Sequence, residues 1–164
     1  DLRSLGRYGQ TVEGMVELDL EAVVNDAWSN VETDGAVLEI DPALGTINGE
    51  RGRLLQLFEN LFRNAVEHGS SDESASDEAI VTVHVGPLHR GFYVEDDGPG
   101  IPEHEREHVF EFGYSAEERG TGIGLAIVEA VAEAHGWELD LVDSEPHGAR
   151  FEFRRRWHPD HRGQ

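Results

Sequence analysis

The sequence predicts a two-layer α/β sandwich in which a mixed, largely antiparallel sheet lies under three main helices. Two observations carry that expectation. Three segments place apolar residues at helical spacing, and short runs before, between and after them alternate apolar with polar residues. At 164 residues, with 38% hydrophobic content, the chain suits one domain with a real core.

The elements follow in order. Leu2, Leu5 and Tyr8 form a short helical stripe with no partner, so residues 1–11 read as the remnant of a preceding helix or as a frayed terminus. Val16-Glu17-Leu18 alternates as a strand does, and Asp19 is placed to cap a helix from Leu20 to Asn30, with Val23, Val24, Ala27, Trp28 and Val31 on one face. Gly35 turns the chain into a strand over Ala36 to Ile40, ended by Asp41-Pro42, and Ile47 sits on a short strand closed by Asn48-Gly49. From Glu50 to His68 the stripe Leu54, Phe58, Leu61, Phe62, Ala65 and Val66 predicts a core helix. Gly69 to Glu78 is an exposed loop. Ile80 to Val85 and Gly91 to Glu95 are expected as a hairpin turning around Gly86-Pro87. After Gly124 a helix carries Leu125, Ile127, Val128, Val131 and Ala132 inward and stops at His135-Gly136. Leu139 and Leu141, then Phe151 and Phe153, alternate in two final strands, and residues 158–164 are a tail.

Composition narrows the functional classes. Thirty-four acidic residues face thirteen arginines and no lysine, for a formal charge of −21. Such a surface excludes general nucleic-acid binding, which needs a basic face. It points to a salt-rich, halophilic cytosol, because screening shrinks from about 10 Å at 0.1 M salt to about 3 Å at 1 M, with an ordinary acidic soluble domain as the alternative. Stability, and the affinity for any polyanionic ligand, should therefore rise in a titration from roughly 0.1 M to 2 M KCl. No apolar run is long enough to span a bilayer, and the absence of cysteine is compatible with a cytoplasmic location. The chain begins at Asp1, which suggests a piece of a longer protein whose targeting or membrane parts lie upstream.

The chemistry is concentrated between Val94 and Val128. An acidic turn, Glu95-Asp96-Asp97-Gly98-Pro99-Gly100-Ile101, follows the apolar run Phe92-Tyr93-Val94, and Gly120-Thr121-Gly122-Ile123-Gly124-Leu125 opens a helix. Alternate glycines at a helix start let a phosphate approach free N–H groups with no Cβ in the way. An aspartate before the first cluster can accept from the exocyclic amine of a purine. Together they read as a nucleotide site with a base end and a phosphate end. A Walker-type loop is excluded because it needs lysine, and G-x-G-x-x-G fails because Gly122 is followed by Gly124 and then Leu125.

On these motifs the chain resembles the Bergerat-fold ATPases, the superfamily of gyrase B, heat-shock chaperone ATPases, mismatch-repair ATPases and sensor histidine kinases. Asp96-x-Gly98-x-Gly100 resembles its G1 box, Phe110-Glu111-Phe112 its F box, and Gly120-x-Gly122-x-Gly124-Leu125 its G2 box. Asn60-Leu61-Phe62-Arg63-Asn64-Ala65 is similar to the N box of the sensor kinases, the closest branch, and the likeness covers about Val16 to Arg155 within a catalytic domain of residues 12–157. The resemblance implies ATP and Mg²⁺ as cofactors. It implies that Asp96 holds the adenine, that Gly98 and Gly100 shape the base pocket, that Ile101 belongs to the nucleotide site, and that Asn64 binds Mg²⁺ with Asn60 as a supporting contact. Glu67, Phe110, Arg119, Gly120, Thr121, Gly122, Ile123, Gly124 and Leu125 complete the implied site. The stretch Gly113 to Arg119 is expected to be an ATP lid. His68 is either a phosphate contact or a cation at the helix C-terminus.

One position separates the branches. ATP-hydrolysing members carry glutamate four residues before the metal-binding asparagine, where this chain has Asn60, and an amide is no general base at neutral pH. Glu59 is rotated about 100° around the helix, where a pair with Arg63 is the simpler account. The resemblance therefore implies transfer of the γ-phosphoryl group to a histidine on a dimerisation domain upstream, then to a response regulator, in a homodimeric parent protein. None of the nine histidines lies in an acceptor-like helix. The alternatives are a nucleotide-binding switch or a serine kinase restraining a sigma factor. A more distant one is a zinc metallopeptidase through His104-Glu105-Arg106-Glu107-His108, an H-E-x-x-H match with no third ligand in view.

Overall fold

The computed structural model describes residues 14–33, 35–69, 81–98, 124–143 and 148–156. In chain order the elements are β1 (Val16–Asp19), α1 (Leu20–Ser29), β2 (Val37–Ile40), β3 (Thr46–Gly49), α2 (Arg51–Gly69), β4 (Thr82–Leu88), β5 (Gly91–Asp96), α3 (Gly124–Ala134), β6 (Trp137–Asp143) and β7 (Ala149–Arg155). Five strands form one sheet in the order β2-β4-β5-β7-β6, parallel at β2-β4 and antiparallel elsewhere. Three helices pack on it, as the pattern of apolar residues requires. β1 and β3 stand apart as a separate antiparallel ribbon, a division that two short alternating runs do not reveal.

Local signals account for the helix ends. The Asp19 carboxylate accepts from the Glu21 N–H at 3.1 Å and so caps α1, while α3 stops where Gly136 takes φ +76°. The hairpin differs from expectation. The chain turns at His89-Arg90, with Leu88 opposite Gly91 and Arg90 at φ 65°, so Gly86 and Pro87 lie inside β4. Gly86 is needed there because the Tyr93 ring crosses it: a Cβ would stand 2.5 Å from the Tyr93 hydroxyl. Pro87 is tolerated because Val85 is the last β4 residue paired with β2, so no ladder bond to β2 is lost.

The alternation in β4, β5 and β7 buries Val83, Val85, Phe92, Val94, Phe151 and Phe153 against the helices. Phe92 is the hub: its ring stacks on Phe153 at 4.8 Å, meets Trp137 edge-on at 5.6 Å and touches Phe58 of α2 at 5.3 Å. The opposite face carries charge. Arg150 lies 3.8 Å above the Tyr93 ring and bonds Glu152 at 2.8 Å, and Arg154 bonds Glu152 at 3.0 Å. Burial pushes the Glu152 carboxyl up, but the two arginines outweigh it and hold it below its ordinary range.

His135 fastens the end of α3 to the start of α2. Its Nε2 accepts from the Glu50 N–H at 3.1 Å, its Nδ1 lies 2.8 Å from the Val131 carbonyl, and its ring stacks on Trp137 at 4.6 Å. That pattern requires the neutral ring with the proton on Nδ1. Burial, the largest influence, lowers the His135 pKa from 6.5. The folded chain thus binds the proton less readily than the unfolded one, so this contribution is complete above pH 6.5 and is lost as pH falls towards the lower folded value. Urea titrations should show stability falling as pH is lowered through 6.5. His135→Phe should start about 1–3 kcal/mol less stable, with the Glu50 N–H left without its acceptor, and with a flatter pH dependence. An unchanged pH slope would separate His135 from the effect.

Candidate nucleotide site

The aromatic and imidazole contacts orient the molecule. Glu50 meets His135, His135 stacks on Trp137, Trp137 is opposite Arg155, and Arg154 is opposite Gly91. The start of α2 therefore sits at the Gly91 end of the sheet. α2 and α3 pack on each other. From that shared end, the later residues of α2, the first residue of α3 and the last residue of β5 run to the opposite end of the fold. Asn64, Gly124 and Leu125, and Asp96 and Gly98 lie toward that end, while Asn60 sits at the middle of α2.

Two adjacent aspartates have different tasks there. Asp97 Oδ1 accepts from the Thr82 N–H at 2.9 Å and ties the end of β5 to the start of β4. Asp96 Oδ1 accepts from the Gly98 N–H at 2.9 Å, closing a tight turn, and from the Ala149 N–H at a longer 3.5 Å. A carboxylate gripped by backbone donors is held in a fixed plane beside the turn. The Asp97 anchor is invisible in the sequence, where Asp96 and Asp97 are equivalent neighbours.

On α2 the side chains of Asn64 and Glu67 are half-buried. Asn60 is also half-buried and donates from Nδ2 to the Gln56 carbonyl at 2.7 Å, which ties its amide to its own helix. The expected Glu59–Arg63 pair is not among the ion pairs of the described residues. Glu59 instead accepts from Asn30 Nδ2 at 3.0 Å, because the packing of α1 beside α2 brings the C-cap of α1 within reach. At the head of α3, Gly124 begins the helix and Leu125 is buried at 9% exposure. Gly100, Ile101, Phe110, Arg119, Gly120, Thr121, Gly122 and Ile123 lie outside the described residues, as do the side chain of His68, the lid from Gly113 to Arg119, the pair His104 and His108, and residues 1–11. Sequence reasoning missed Gly148 and Ala149, which reach Asp96 from 52 or more positions away; the only local signal was a glycine before an alternating strand.

Residues 49–157 match the family model described as "Histidine kinase-, DNA gyrase B-, and HSP90-like ATPase". Among curated relatives, the two-component sensor PhoQ of Pseudomonas aeruginosa is 38% identical over 107 residues, covering 64% of this chain and 22% of the relative. The sensor histidine kinase GtrS of the same organism is 30% identical over 144 residues, covering 87% of this chain and 29% of its own length. The chain thus spans less than a third of either relative. Among solved structures, the ATP binding domain of PrrB from Mycobacterium tuberculosis superposes with a TM-score of 0.66 at 26% identity, covering 87% of this chain and 97% of that one. This chain belongs to the histidine kinase-, DNA gyrase B- and HSP90-like ATPase family and is homologous to the ATP-binding catalytic domain of sensor histidine kinases.

Proposed function

We propose that this chain binds Mg²⁺-ATP at the Asp96 end of the fold and presents its γ-phosphoryl group to a histidine on a dimerisation domain of the same parent protein, from which a response regulator is phosphorylated. The observation that carries the reading is the backbone-gripped carboxylate of Asp96 at the end of the fold shared with Asn64 and Gly124. Asp96 would accept from the adenine amine, with Gly98 keeping the turn open. The α3 N-terminus at Gly124 would face the phosphates with its positive dipole end. Phosphoryl transfer asks for positioning and charge neutralisation rather than a protein nucleophile. Asn60, an amide where a water-activating base would stand, supports transfer over hydrolysis.

The donor set suits magnesium. Among the described residues no group of three or more His, Asp or Glu could hold a metal unaided. An amide oxygen from Asn64 plus ligand phosphates is the sparse, hard-oxygen arrangement that Mg²⁺ accepts, and the ion would neutralise charge on the transferring group. No described helix is long and apolar enough to cross a membrane. The test is a longer chain that includes the segment before Asp1, incubated with Mg²⁺ and γ-labelled ATP. Acid-labile, base-stable phosphate on that upstream segment is the expected result. Acid-stable phosphate on an added partner would transfer the reading to a serine kinase, and calorimetry in 2 M KCl that detects no ATP binding would end both.

A further inference from the structure

Gly148, the residue before β7, comes against Asp96 more closely than any side chain would allow. A Cβ built on Gly148 would stand 1.9 Å from the Asp96 carbonyl oxygen and 2.9 Å from its carbon, and Gly148 holds φ +121°, a region that only glycine enters freely. The next residue, Ala149, points its N–H at Asp96 Oδ1. Gly98 holds the same oxygen from within the turn after β5, so the two donors come from segments far apart in the chain. We infer that Gly148 and Ala149 are positioning residues for the base-reading carboxylate: the glycine lets β7 press against Asp96, and the alanine amide fixes the angle at which Asp96 meets the purine. This rests on the nucleotide reading above and assigns to the head of β7 a part in base selectivity.

Inosine triphosphate presents a carbonyl oxygen where ATP presents the amine, so the ratio of the two affinities reports the aim of the carboxylate. Titration calorimetry on the wild-type chain, Gly148→Ala and Gly35→Ala should separate aim from fold. Gly35 also has positive φ, at +86°, but nothing lies within 4 Å of a Cβ there, which makes it the strain control. Gly148→Ala should reduce the preference for ATP over inosine triphosphate about tenfold, the worth of one charge-assisted hydrogen bond, while Gly35→Ala keeps it. Equal losses for both nucleotides in Gly148→Ala, or no loss, would overturn the positioning role. Should Gly148→Ala not fold, the Ala149 amide resonance of the full chain decides: it should shift in Asp96→Asn, and an amide indifferent to that change overturns the inference. If Asp96→Asn leaves ATP affinity intact, the nucleotide reading falls as well. If it abolishes affinity while Gly148→Ala keeps full selectivity, only the positioning role falls.

Discussion

Asp96→Asn should weaken ATP binding by about 100-fold, roughly 2–3 kcal/mol, with little change in fold stability. The substituted side chain has nearly the same shape, and its amide oxygen can still accept from the Gly98 N–H. Its nitrogen, however, is a donor, and it would confront the donor amine of adenine where a second acceptor stood. Desolvating two opposed donors costs far more than losing one bond, which is why sites built to recognise a polar group discriminate strongly. Asp97→Asn is the matched comparison. Asp97 accepts from Thr82 at the β4–β5 edge, and an asparagine oxygen can still accept there, so Asp97→Asn should change stability by less than about 0.5 kcal/mol and leave nucleotide selectivity intact. Titration calorimetry and urea melts on both variants provide the check. A larger binding loss in Asp97→Asn than in Asp96→Asn would reverse the assignment.

Phe92→Ala should destabilise the fold by about 3–5 kcal/mol, the range for removing a fully buried aromatic ring. Phe92 has 0% exposure and joins the two layers, with Phe153 and Trp137 on the sheet side and Phe58 on the helix side. Truncation would remove three ring contacts together, and the neighbouring rings are anchored on separate elements that cannot all collapse into the gap. For a domain of this size the melting temperature should drop by about 6–20 °C. Val37→Ala on the sheet edge, where Val37 is 42% exposed, should change stability by less than about 0.5 kcal/mol. Chemical denaturation of both variants tests the contrast, and a Phe92→Ala loss below about 1 kcal/mol would remove Phe92 from the centre of the core.

Much of the architecture was legible because burial leaves a period in the sequence. Leu54, Phe58, Leu61, Phe62 and Ala65 recur at helical spacing and all face the core; Val83 and Val85, and Phe92 and Val94, alternate and are buried. The β4–β5 turn was not legible. Gly86-Pro87 carries the stronger local turn signal, yet the Tyr93 ring needs the bare glycine face and β2 ends before Pro87, so tertiary contacts overrode the local preference. Glu59 tells the same story: helical spacing proposes Arg63, and the packing of α1 supplies Asn30 instead.

The sequence by itself determined the helices, most of the strands and the nucleotide-like spacing of Asp96, Gly98 and the later glycines, because each depends on residue type and short-range periodicity. Only the tertiary structure decided which of two neighbouring aspartates ties strands together, and which end of the sheet receives Asn64, Gly124 and Asp96. It alone brought Gly148 and Ala149 against Asp96. Those outcomes depend on strand order and on close backbone approach between segments far apart in the chain. A glycine's missing Cβ acquires meaning only once another strand occupies the space beside it.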